Sequence, residues 1–231
     1  QETNRLEVDE VVSKRALREI YLKPFELAVK LANPWTVMSS YNRLNGPYTQ
    51  EDYELLTTVL RDEWGFKGIV MTDWTGPRTT AAQIHAGNDV LCPGDDKHVA
   101  DIISDVKSGR LSMGDVDKAV KRMLQYIVRT PHFRGYAFSN NPELAEHAAI
   151  TRQSATEGMV LLKNSANTLP MSGVKTAALF GSQSYAFMSC GLGSGCVNTK
   201  HVVDMVEGLK NAGIDITPDM EAVYRNYLDF V

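Results

Sequence analysis

Val8, Val12, Ala16 and Ile20 recur at helical spacing, with Leu17 and Tyr21 beside them, and predict an amphipathic helix. Pro24 should end or kink it, because proline lacks an N–H and its ring clashes with the preceding turn. A short second helix is expected from Pro24 to Leu31, and Asn33-Pro34 marks a boundary. Trp35 to Ser39 is a short β-rich run, Asn45-Gly46-Pro47 a polar turn, and Leu55, Leu56, Val59 and Leu60 mark another helix. Gly65-Phe66-Lys67-Gly68 then leads into Ile69-Val70-Met71-Thr72. A continuous apolar run bounded by turn residues suits a strand buried on both faces of a parallel sheet. A helix around Thr79 to His85 and a short run, Val90-Leu91-Cys92, follow. Ser112 and Asp115 have capping-box spacing and open a helix carrying Val116, Val120, Met123 and Ile127. Strands alternating with helices of about 10–15 residues are the signature of βα units.

The pattern changes at Thr130-Pro131 through Asn140-Asn141-Pro142. Beyond it come a helix, the apolar run from Gly158 to Leu162, a turn-rich stretch and the strand Thr176-Ala177-Ala178-Leu179-Phe180. A glycine-rich loop spans Gly191 to Gly195. We expect a first unit over 1–130, a linker over 131–157 and the N-terminal part of a second α/β unit over 158–231. The start at Gln1, without a Met, reads as a truncation or processing point.

Of the 231 residues, 43% are hydrophobic and 23% charged, an ordinary balance for a globular protein. No apolar stretch approaches the roughly 20 residues that span a bilayer, so no membrane partner is expected. The net charge of −4 comes without a basic stripe, which argues against nucleic acid. Cys190 and Cys196 could pair across a short loop, leaving Cys92, or all three could be isolated.

The chemistry concentrates in Val70-Met71-Thr72-Asp73-Trp74, where a carboxylate and a large aromatic follow an apolar strand. In parallel α/β barrels the C-terminal strand ends build the active site. A carboxylate there can attack an anomeric carbon and form a covalent glycosyl intermediate. The attack needs the ionised form, which an ordinary aspartate, with a pKa of about 3.9, has near neutral pH. Trp74 could supply an apolar platform for a sugar ring. The same residues also fit a strand-terminal Asp73 that only caps the next helix, a Tyr41 that is only a buried tyrosine, and an Arg5 that is only a solvated charge. Spacing alone leads to an α/β enzyme and no further.

Other candidates are weaker. The loop Gly191-Leu192-Gly193-Ser194-Gly195 lacks the Gly-Lys-Ser/Thr ending of a phosphate loop and does not follow directly on a strand. Cys92, Asp95, Asp96 and His98 could suggest a metal, but Asp95 or Asp96 capping a helix that begins near His98 accounts for them better. Asp62 and Glu63, next to Arg61, read as a solvated helix face, and His85 and His132 as packing residues.

Taken together, several words resemble the family-three glycoside hydrolases. They are Gln1-Glu2-Thr3-Asn4-Arg5, Met38-Ser39-Ser40-Tyr41-Asn42, Leu60 through Gly68, Val70-Met71-Thr72-Asp73-Trp74 and Ala86-Gly87-Asn88-Asp89. Gly158 through Asn164 and Leu169-Pro170 extend the resemblance over nearly the whole chain. The family usually has Ser where this chain has Thr72. The resemblance implies an α/β fold: the second half of a TIM-like (β/α) barrel over 1–130, then the start of an α/β sandwich domain. It implies Asp73 as nucleophile, Trp74 and Arg5 at the first sugar subsite, Tyr41 steadying the nucleophile and Ser194 reaching the sugar from the second domain. A Lys-His pair would lie before Gln1 and the acid/base Glu after Val231, so the remainder of a parent enzyme is an expected partner.

The implied activity is that of a retaining exo-acting β-glucosidase that takes β-linked glucosides or oligosaccharides and needs no cofactor and no metal. A β-xylosidase of the same family and a non-catalytic carbohydrate-binding remnant are the alternatives. An exo-acting N-acetylglucosaminidase is disfavoured by the second-domain words. A secreted or periplasmic location is favoured over a cytoplasmic one, and a homo-oligomer is left open.

Overall fold

The computed structural model describes residues 3–74, 79–191 and 193–230. Gln1 and Glu2 of the first motif and Leu192 of the glycine-rich loop lie outside these residues. The chain divides into two compact units, Gln1–Pro142 and Glu143–Val231.

In the first unit the strands are β1 (Asp9–Glu10), β2 (Thr36–Ser39), β3 (Arg43–Leu44) and β4 (Ile69–Thr72). β1 pairs with β3 and β2 with β4, both in parallel. Val8 and Val12, expected in the first helix, lie outside it. The Val8 carbonyl accepts the Arg43 N–H at 2.8 Å, committing this backbone to β3. The helix begins only at α1 (Lys14–Ala16), where the Ser13 side chain caps it by accepting the Ala16 N–H at 3.2 Å. A wide-turned segment, Leu17–Tyr21, continues it. Pro24 then sits in the first turn of α2 (Lys23–Leu27), where a missing N–H breaks no helical bond.

β4 is the buried strand that its apolar run predicts. Val70 is 0% exposed and packs with Val29, Leu56, Leu60, Phe66 and Ala86. Leu56 and Leu60 come from the wide-turned helix Glu54–Glu63. The approach to β4 requires a glycine at 68, since any Cβ there would collide with the Trp35 carbonyl. That carbonyl accepts the Ile69 N–H at 3.0 Å, and the pairing runs on to Ser39 opposite Thr72.

The helices α3 (Thr80–Ala86), α4 (Asp96–Lys107) and α5 (Met113–Ile127) follow, around Ala81, Ile84 and Leu111. Asp95 caps α4 by accepting the His98 N–H at 3.0 Å. Ser112 caps α5 through the Gly114 N–H, but Asp115 does not complete the expected box. Its carboxylate turns to the His85 ring and the Lys118 ammonium instead, two partners from outside the cap.

The second unit opens with α6 (Leu144–Gly158), which lies largely within the stretch 131–157 read as a linker. β5 (Thr176–Ala177) ends sooner than the apolar run to Phe180, because only these two residues find a partner, in parallel, in β6 (Asp215–Ile216). α7 (Met205–Asn211) and α8 (Pro218–Phe230) complete it, over a core of Tyr185, Val206 and Ile216. Cys92, Cys190 and Cys196 are free thiols. Among the described residues no helix is long and apolar enough to cross a membrane.

Candidate active site

The site forms where β2 and β4 end side by side. Asp73, half-buried, directly follows β4 and donates its N–H to the Ser39 carbonyl at 3.0 Å, continuing the ladder one step. Beneath it, the Thr72 hydroxyl accepts the Cys92 N–H at 2.9 Å. A serine hydroxyl could take the same bond, which accounts for the tolerance of threonine at a position where serine was expected. Burial and then the charge of Asp73 push the Cys92 thiol up from its ordinary range, so this sulfur lies within the field of the carboxylate.

Two donors orient that carboxylate. The Trp74 N–H reaches its Oδ1 at 2.7 Å, and the Tyr41 hydroxyl hydrogen-bonds it from just beyond β2. Burial raises the Tyr41 phenol above its ordinary value, the bond to Asp73 and its charge raise it further, and the positive charge of Arg5 draws it down. Tyr41, Asp73, Trp74 and Arg5 therefore come together as one cluster. Trp74 is 51% exposed, leaving indole surface open beside the carboxylate. Ser194 lies in the turn Gly193–Gly195 of the second unit and is exposed.

A buried polar layer underlies these residues, and sequence reasoning gave its members no role. Ser39, Gln50, Gln83 and Asn88 are all buried and joined through Asn88 and the pair Gln83 Nε2 to Gln50 Oε1, 2.8 Å. Next to Asn88, Asp89 accepts from Arg61 at 2.7 Å, from Arg122 at 3.0 Å and from the Val70 N–H at 2.9 Å. The available signals were the words Met38 through Asn42, Leu60 through Gly68 and Ala86-Gly87-Asn88-Asp89, which contain Ser39, Arg61, Asn88 and Asp89. The secondary candidates fall elsewhere: Glu63 pairs with Arg18, His85 stacks on Tyr53, and His132 tilts against Phe138.

Comparison with known proteins bears on this arrangement. Residues 3–126 match the model described as "Glycosyl hydrolase family 3 N terminal domain". The chain is 38% identical over 220 residues to "Beta-glucosidase B" of Emericella nidulans, covering 92% of this chain and 26% of that protein. It is 40% identical over 221 residues to a "Beta-glucosidase" of Rhizobium radiobacter, covering 91% of this chain and 26% of the relative. A solved structure of beta-glucosidase 3B from Thermotoga neapolitana, in complex with α-D-glucose, superposes with a TM-score of 0.87 at 40% identity. It covers 99% of this chain, which spans 33% of that one. The chain thus spans about a quarter of the length of the curated relatives it matches. The expected fold class, part of a TIM-like barrel followed by the start of an α/β domain, is borne out.

Proposed function

The chain belongs to glycosyl hydrolase family 3, and from that membership we propose that it carries the nucleophile of a retaining, exo-acting β-glucosidase. The observation that carries the reading is Asp73 at the end of β4, its carboxylate held by the Tyr41 hydroxyl and the Trp74 N–H. Two fixed donors limit how the carboxylate can turn, and a pre-aimed nucleophile removes part of the entropic barrier. Asp73 attacks the anomeric carbon through an oxocarbenium-like transition state while a second carboxyl group protonates the leaving oxygen. Water, activated by that second group, then frees the sugar with net retention.

Retention requires the two carboxyl groups about 5–5.5 Å apart. The resemblance assigns the second to a glutamate that is not among residues 1–231, and the chain spans about a quarter of the length of its curated relatives. Trp74 and Arg5 line the first sugar subsite in this reading. Glucose is the preferred sugar because the relatives named above are β-glucosidases. Exogenous β-glucosides as substrates suit a secreted or periplasmic enzyme.

The complete gene product, given an aryl β-glucoside and followed by proton NMR, should release β-glucose before mutarotation brings up the α-anomer. Faster cleavage of the matching β-xyloside would move the substrate to xylosides. Glucose binding without hydrolysis would instead support a carbohydrate-binding remnant.

A further inference from the structure

We propose that Asn88 is a positioning residue for the nucleophile, acting through Ser39 on the contact between Tyr41 and Asp73; this rests on the reading of Asp73 given above. Asn88 is 0% exposed. Its Oδ1 accepts from the Ser39 hydroxyl at 2.8 Å, and its Nδ2 donates to the carbonyls of Gln50 at 2.7 Å and Gln83 at 2.6 Å. One side chain thereby joins the end of β2, the turn Thr49–Glu51 and helix α3.

The part that it holds is the arm that carries Tyr41. Ser39 is the last residue of β2, and its carbonyl takes the Asp73 N–H. Tyr41 follows two residues later and reaches the Asp73 carboxylate. Ser40, between them, is gripped by Thr49, whose hydroxyl meets the Ser40 hydroxyl at 3.0 Å and donates to the Ser40 carbonyl at 2.6 Å. Asn88 fixes that turn as well, through the Gln50 carbonyl of the next residue. The β2–β4 ladder already pairs the two strands by backbone bonds. What the Ser39–Asn88 bond adds is a directional side-chain tie that sets where the end of β2 points. Buried, fully bonded polar groups specify one geometry in a way that apolar packing does not.

The test is a double-mutant cycle in the complete gene product, reading kcat and KM on an aryl β-glucoside. Ser39→Ala removes the tie with little change in volume and should lower kcat about tenfold, with KM within about twofold, the scale of a sub-ångström loss of aim. In a Tyr41→Phe background the same substitution should add no further loss, because the contact it aims is already gone. Losses that multiply, as a merely structural role would give, overturn the proposal, and so does Ser39→Ala at the wild-type rate. Asn88→Ala should match Ser39→Ala where it folds, and the Ser39 cycle decides where it does not. Asp73→Asn run alongside separates the two readings: activity retained there removes the nucleophile assignment itself.

Discussion

The hydroxyl of Tyr41 hydrogen-bonds the carboxylate of Asp73, joining residues that stand just past the ends of two parallel strands. Strand pairing alone would bring their backbones together. The bond between their side chains also needs the β2 end to turn toward the carboxylate, and Ser39 and Ser40 are both tied where it turns.

This relationship has a pH consequence. Burial, then the bond and charge of Asp73, hold the Tyr41 phenol above its ordinary value of about 10. The folded chain keeps that proton when the unfolded chain has begun to lose it. The stabilisation is therefore full below about pH 10 and is lost as pH rises through the folded value. Urea midpoints measured between about pH 9 and pH 11 should fall more steeply for the wild type than for Tyr41→Phe. Equal slopes would mean that the phenol is not held.

Asp89 gives a stability prediction. Its side chain is 0% exposed, and it neutralises the buried Arg61 together with Arg122. Asp89→Ala leaves two cations unpaired and should cost about 3–5 kcal/mol in urea unfolding. A loss below about 1 kcal/mol would be that of an exposed pair and would contradict the burial described.

Trp74 gives a binding prediction. Its open indole surface beside Asp73 offers a face for a sugar ring. Trp74→Ala should raise KM for an aryl β-glucoside several-fold, roughly fivefold or more, with a smaller change in kcat, because a platform binds ground and transition states alike. An unchanged KM would place the sugar elsewhere.

The sequence exposed the parts of this fold that depend on local pattern. Ile69 to Thr72 was legible as a strand because a continuous apolar run between turn residues has few other uses, and Asp73-Trp74 stood out by following it. Val8 and Val12 misled because their spacing matches a helix while the Val8 carbonyl takes the Arg43 N–H and the Val12 N–H goes to the Asn45 side chain, both far along the chain. Asp115 misled because the capping box is a local rule and His85 competes for the carboxylate from another helix. The Ser39–Asn88 bond was out of reach, since it joins positions 49 residues apart and neither residue type is unusual where it stands. Tyr41 had no local signal either, and it entered the site by resemblance before the geometry placed it against Asp73.

The most direct test of the central claim is covalent trapping. The complete gene product would be incubated with a 2-deoxy-2-fluoro-β-glucoside, digested and read by mass spectrometry. The fluorine slows both steps by destabilising the oxocarbenium-like transition state, so a reactive leaving group lets the glycosyl-enzyme accumulate. The account expects the label on the peptide containing Asp73. A label on any other carboxylate, or none in an enzyme that hydrolyses the parent glucoside with retention, would contradict it.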